Sequence, residues 1–131
     1  MISDILFMSI AKQVAKASKA NRKKVGCILV NHGNIIAIGY NGTPSGFDNC
    51  CEKEGITKKN VLHAESNAIA KCSRSNSSSD GAQLYCTLSP CLECSKIIIQ
   101  AGVSKVFYSE KYDDTSGLEL LKQAKIDIYE I

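Results

Sequence analysis

Residues 82–131 read AQLYCTLSPCLECSKIIIQAGVSKVFYSEKYDDTSGLELLKQAKIDIYEI, and their periodicity decides the fold. Residues 82–88 form a β-rich run with Leu84, Cys86 and Leu88 on one face. Pro90 interrupts it, Cys91 begins a helix to about Ala101, and Gly102 supplies the helix stop. Residues 103–109 read as a strand, 118–124 as a helix with Gly117 near its start, and 126–131 as a last strand. This β-α-β-α-β alternation predicts a mostly parallel sheet covered by helices. Upstream, residues 25–30 and 35–38 are apolar runs around the turn Asn31-His32-Gly33-Asn34, the pattern of a hairpin, with His32 as a turn residue. Residues 2–19 carry Ile2, Ile5, Leu6, Ile10, Val14 and Ala17 at helical spacing. The expected architecture is α/β, in three α/β/α layers around a mixed five-stranded sheet, as one domain over residues 1–131.

The segments between these elements are polar. Residues 18–24 are a basic loop, residues 52–60 are charged and suggest a short helical turn, and residues 73–81 are a Ser-rich surface loop. Residues 39–46 hold three Gly, one Pro and one Asn, a bent loop suited to wrapping a sugar or phosphate with backbone N–H groups. Net charge is +3, too small to argue for a polyanionic partner, and no apolar run approaches a membrane span. The seven Cys follow no leader-like segment. That pattern points to a reduced, cytoplasmic setting in which paired Cys mean metal or catalysis more often than disulfides.

Two short motifs carry the chemistry. His63-Ala64-Glu65 opens a helix reaching to about Cys72, and Pro90-Cys91-Leu92-Glu93-Cys94 opens the next. Together they match the H-x-E…P-C-x-x-C pattern of zinc enzymes that deaminate nucleobases. One imidazole and two thiolates suit tetrahedral Zn²⁺ and leave a fourth position for water. The helix start at Cys91 favours ionised thiols. Of the other cysteines, Cys27 and Cys86 lie in strand interiors, and Cys50, Cys51 and Cys72 lack the spacing of a fourth ligand. The site is therefore expected to be open and catalytic. Residues two apart on a helix point about 200° apart, so Glu65 suits a proton shuttle better than a ligand. Zinc lowers the pKa of water from about 15.7 to about 7, which makes hydroxide available to attack.

With these motifs the chain resembles the cytidine/deoxycytidylate deaminase superfamily, and within it the dCMP deaminases. The likeness also covers Ser18-Lys19, Val25-Gly26, the segment 39–46, Asn49-Cys50, Asn67-Ala68-Ile69 and residues 98–102. The resemblance implies hydrolysis of dCMP to dUMP for thymidylate synthesis, with one catalytic Zn²⁺ on His63, Cys91 and Cys94 and with Glu65 as proton shuttle. It implies that Asn41 contacts the sugar and that the Ala64 N–H and Ser89 C=O read the base edge. Lys111 and Tyr112 are candidates for the phosphate and base. It further implies a homohexamer activated by dCTP and inhibited by dTTP. The effector would be held partly by Ser18, Lys19, Gly42 and Asn49, with room for a Mg²⁺ ion beside it. Ala20 stands where some phage members carry a Cys, so a second zinc is not expected.

Other readings make different demands. A dCMP/dCTP bifunctional enzyme needs room for a triphosphate. A nucleic-acid base deaminase needs a basic face bearing aromatics, and the chain has three Phe, five Tyr and no Trp. Neither nucleic acid nor membrane is an expected partner. A structural zinc module needs a fourth protein ligand.

Overall fold

The computed structural model describes the backbone from Ile2 to Ile131 and side chains from Ser3 onward; the Ile2 side chain of the predicted stripe lies outside the described residues. The elements run α1 (Ile2–Ala15), β1 (Gly26–Asn31), β2 (Asn34–Tyr40), β3 (Glu52–Lys53), β4 (Ile56–Thr57), α2 (Ala64–Ser73), β5 (Gln83–Leu88), α3 (Leu92–Gln100), β6 (Lys105–Glu110), α4 (Ser116–Gln123) and β7 (Asp127–Glu130). The main sheet has the order β2-β1-β5-β6-β7. β1 pairs antiparallel with β2 and β5, whereas β5-β6-β7 are parallel. This is the expected mixed five-stranded sheet. In the β1–β2 hairpin, His32 and Gly33 take positive φ of 51° and 78°, as the tight turn requires.

Alternation along the strands feeds two cores. On one face Cys27, Leu29, Leu84, Cys86 and Val106 pack under Ala64, Ala68 and Cys72 of α2, Ile98 of α3 and Leu118 and Leu121 of α4. On the other, Ile28, Val30, Tyr85 and Phe107 pack under Met8 and Ala11 of α1. Tyr85 and Phe107 are stacked at 4.5 Å, and Tyr129 continues the stack at 4.9 Å. No helix of the described residues is long and apolar enough to cross a membrane.

Three expectations are corrected. The helix predicted over 2–19 ends at Ala15, because the next three N–H groups bond three residues back and close a tighter turn. Its buried face is Met8, Ala11 and Ala15, while Ile5 and Leu6 are 65% and 56% exposed. Ala11 and Ala15 seat the helix directly on Gly26, where a Cβ would collide with the Ala11 carbonyl and the Ala15 amide. That contact rotates the stripe away from the predicted one. Finally, residues 52–60 contain no helical turn. Glu54 and Gly55, at φ 54° and 77°, close a small β3–β4 hairpin instead.

Gly39 on β2 repeats the Gly26 device on the opposite face. A Cβ there would meet the Ala64 carbonyl and the Ala68 amide, so α2 lies with its backbone against the strand. Gly39→Ala should therefore cost about 1–3 kcal/mol through overpacking. The check is a urea titration, expected to show a lower midpoint with an unchanged slope.

Candidate active site

The site lies at the C-terminal ends of the parallel strands, where α/β sheets present their loops. β5 ends at Leu88, and Ser89-Pro90-Cys91 leads into α3. Cys91 is the N-cap of α3, with extended backbone (φ −74°, ψ 175°), and its sulfur accepts the Cys94 N–H at 3.5 Å. His63 is the N-cap of α2, also extended (φ −75°, ψ 158°), and its side chain makes no capping bond. The imidazole is thus free to turn toward the thiols. Because His63 stands outside the helix, the 200° helical separation from Glu65 does not apply. The backbone bend at the cap is what sends the two side chains to the same place.

His63 Nδ1 lies 3.5 Å from Cys91 Sγ and 3.4 Å from Cys94 Sγ, and the three ligand atoms all lie within 4.8 Å of one another. A tetrahedral zinc with Zn–S of about 2.3 Å and Zn–N of about 2.0 Å requires S and N about 3.5 Å apart. The donor set therefore fits zinc in both chemistry and spacing. Among the described residues it is the one such cluster of His, Cys, Asp or Glu. Cys27, Cys50, Cys51, Cys72 and Cys86 are free thiols outside it.

The charges are uneven. Cys91 is drawn down to about 4, first by its hydrogen bond with Cys94 and then by His63. Cys94 is pushed up by the same bond with Cys91 and by burial, although the Ser66 N–H also reaches it. His63 is raised, chiefly through its bond with Cys91. Glu65 is 4% exposed, and burial lifts its carboxyl above the usual range. The backbone N–H of Glu65 itself, then the neighbouring His63 and the Cys86 thiol, offset part of the rise.

A cavity of about 300 Å³ opens over these groups, at the small end of the range for ligand sites. His63, Ala64, Glu65, Ser89 and Cys91 line one end, as the sequence led us to expect. Asn41 and Tyr112 also line it. Asn41 is already engaged: its Oδ1 accepts the Val25 N–H at 2.9 Å and its Nδ2 donates to the Lys23 carbonyl at 2.7 Å. One lone pair and one amide hydrogen remain for a ligand. Ser89 is buried, and its hydroxyl accepts the Tyr112 N–H at 2.7 Å, which ties the loop after β6 to the site. Lys111 does not line the cavity. The other wall comes from residues to which the sequence reading gave no part in this site: Ala20, noted only for the absence of a second zinc, and Arg22, Lys23, Glu52 and Thr57. The basic run in residues 22–24 was the available signal, but nothing local connects it to His63.

A second cavity, of about 230 Å³, lies on the other side of the loop after β2. Lys19, Gly42 and Asn49 line it, with Tyr40, Asn67 and Lys71. Ser18, expected beside them, is instead 2% exposed. Its hydroxyl donates to the Asn41 carbonyl and accepts the Ala20 N–H, so it braces the loop from inside. Gly42 does not offer a free N–H either, since it exchanges two backbone hydrogen bonds with Leu62.

The comparisons with known proteins agree with this geometry. The family model for the cytidine and deoxycytidylate deaminase zinc-binding region matches residues 1–110. The deoxycytidylate deaminase of enterobacteria phage T4 is 32% identical, over 95% of this chain and 87% of that protein. The Saccharomyces cerevisiae deoxycytidylate deaminase is 38% identical, over 95% of this chain but 43% of the yeast protein, so the chain spans less than half of that relative. A crystal structure of dCMP deaminase from cyanophage S-TIM5, in complex with dCMP and dUMP, superposes with a TM-score of 0.95 at 47% identity, covering 97% of this chain and 95% of the other.

Gly117 of α4 sits where a Cβ would strike the Pro90 carbonyl and the Cys91 backbone. Bound zinc should fall below about a tenth of the wild-type content in Cys91→Ala and in Cys94→Ala. Gly117→Ala should weaken zinc about 10-fold or more, read by competition with a chelator. Wild-type affinity in Gly117→Ala would show that α4 does not set the ligand loop.

Proposed function

The chain belongs to the cytidine and deoxycytidylate deaminase family, and from that premise we propose that it is a zinc-dependent dCMP deaminase that converts dCMP and water to dUMP and ammonia. The observation that carries the reading is the His63–Cys91–Cys94 triangle beside buried Glu65, at the floor of a cavity sized for one mononucleotide. His63, Cys91 and Cys94 hold the zinc, which when bound supplies the Lewis acidity that lets water ionise near neutral pH. The absence of a fourth ligand from the cluster, among the described residues, favours this over a closed structural site.

Glu65 is the proton shuttle. It takes one proton of the attacking water and delivers it to ring N3, then takes the second proton from the hydroxyl added at C4 and hands it to the exocyclic nitrogen, which leaves as ammonia while the C4 carbonyl forms. Burial of its carboxyl supports this role, because a base that must also act as an acid needs a pKa nearer the working pH than an exposed glutamate has. The Ala64 N–H, at the open start of α2, donates to the base carbonyl, and the Ser89 C=O accepts from the amino group. Asn41 uses its remaining hydrogen-bonding capacity on the sugar hydroxyl, and Tyr112 covers the bound nucleotide.

The second cavity holds the effector. Lys19, Gly42 and Asn49 contact dCTP as activator or dTTP as inhibitor, with Mg²⁺ on the triphosphate. Residues 1–131 act as one catalytic domain, assembled as a homohexamer in the cytoplasm, and the dUMP supplies thymidylate synthesis.

A zinc-loaded sample should release ammonia and dUMP from dCMP. No release, with and without dCTP, would overturn the assignment. Glu65→Gln should lower kcat by about 10²–10⁴-fold while keeping its zinc; loss of the metal would make Glu65 a ligand instead. Lys19→Gln should abolish the response to dCTP while leaving kcat at saturating dCMP, measured in an effector titration. An intact response would remove the second cavity from regulation.

A further inference from the structure

Behind Glu65 lie two thiols that the proton shuttle described above does not use. Cys27 on β1 and Cys86 on β5 stand opposite each other in the antiparallel pairing of those strands. Both are fully buried, and both belong to the core under α2. The alternation of β5 sends Leu84 and Cys86 to that face and Tyr85 to the other. Cys86 stands two residues before Leu88, which lines the zinc-side cavity, so it lies one step beneath the cavity floor. Neither thiol belongs to the metal-binding cluster.

Glu65 meets these thiols from the helix side. Gly39 lets the first turn of α2 press directly on the sheet at Ala64 and Ala68. The buried Glu65 side chain therefore has little depth to cross before it reaches the strands. The Cys86 thiol hydrogen-bonds to the Glu65 carboxyl and also to Cys27. Among the described residues no other side chain hydrogen-bonds to that carboxyl. Burial, with the Glu65 charge added, pushes both thiols up, so each keeps its proton near neutral pH and can donate it. A thiol has one hydrogen to give. With the Cys86 hydrogen on Glu65, the Cys86 sulfur accepts from Cys27, and the two bonds polarise each other in one chain.

Resting on the deaminase reading above, we propose that Cys86 is a positioning residue for Glu65, its S–H holding one carboxylate oxygen against the sheet while the other faces the cavity, with Cys27 fixing the Cys86 thiol from behind. The shuttle must serve the water, ring N3 and the exocyclic nitrogen in turn. A carboxyl anchored at one oxygen keeps the other within reach of all three, so little orientation has to be found at each transfer. The weakness of the donor suits this task. A cation at the position of Cys86 would hold the carboxylate harder but would lower its basicity, whereas an S–H orients it and takes little basicity away.

The experiment measures dCMP turnover per bound zinc in variants of the zinc-loaded protein. Cys86→Ala should lower kcat about 10-fold, the loss of one weak hydrogen bond to a charged group. KM should stay within about twofold, because Cys86 does not touch the substrate. Cys86→Ser keeps a donor and should recover most of the loss. Cys72→Ala is the control: Cys72 is buried in the same core, two turns further along α2, and its thiol donates to the Ser77 carbonyl at 3.8 Å. It should lower the urea midpoint and leave kcat unchanged. In a Glu65→Gln background, Cys86→Ala should cost less than about a further twofold, since it acts through Glu65. Infrared spectroscopy reads the contact without turnover. The S–H stretching band that Cys86→Ala removes should lie at lower frequency in the wild type than in Glu65→Gln. A Cys86→Ala kcat no lower than that of Cys72→Ala, a Cys86→Ser no more active than Cys86→Ala, a full additive loss with Glu65→Gln, or an S–H band indifferent to Glu65→Gln would each overturn the proposal. Absence of dCMP turnover by a wild-type protein whose S–H band responds to Glu65→Gln would instead overturn the deaminase reading.

Discussion

The site depends on how closely helix backbones can be brought to strand and loop backbones. Gly39 lets α2 rest on β2 at Ala64 and Ala68, and Gly117 lets α4 rest on the Pro90-Cys91 backbone. These two contacts fix the starts of α2 and α3 against each other, and the ligands sit at those starts. His63 and Cys91 are both N-caps with extended backbone. Two helix N-termini then direct their N–H groups at the ligands and the carboxylate, the Cys94 N–H to Cys91 Sγ among them, and this favours negative charge there. A cation among His63, Cys91 and Cys94 balances what the helices attract.

The same helix serves two cavities. Its start carries Ala64 and Glu65 at the zinc-side cavity, and one to two turns later Asn67 and Lys71 line the second. Asn67 Nδ2 donates to the Tyr40 carbonyl at 2.9 Å, and the Lys71 ammonium lies 5.3 Å from the centre of the Tyr40 ring. The loop after β2 stands between the cavities, tied to Leu62 at Gly42 and to the loop before β1 through Asn41. A ligand on one side thus shares its wall with a ligand on the other, which is a physical basis for coupling the two.

Much of this was legible in the chain. The β-α-β-α-β alternation after residue 82 and the hairpin around His32 gave the sheet, because period and turn chemistry are local properties. His63, Glu65, Cys91 and Cys94 were readable because each pair lies within one turn of chain. What stayed hidden is non-local. The seating of Ala11 and Ala15 on Gly26 turned α1 away from its most apolar stripe, a tertiary contact that overrides amphipathicity. Glu54-Gly55 closed a hairpin because a non-glycine residue accepted positive φ, which residue type alone did not announce. Arg22, Lys23 and Glu52 meet His63 only through the folded sheet, and the side chain of Ser18 turned inward to a carbonyl 23 residues away.

The central claim is that His63, Cys91 and Cys94 alone bind the zinc and leave one coordination position to a non-protein atom. X-ray absorption at the zinc edge of the zinc-loaded protein tests it most directly. The account predicts a first shell of two sulfurs at about 2.3 Å and two light atoms at about 2.0 Å, unchanged when Cys27, Cys50, Cys51, Cys72 or Cys86 is replaced by Ala. A shell of three or four sulfurs, or one that changes with any of those replacements, would contradict it.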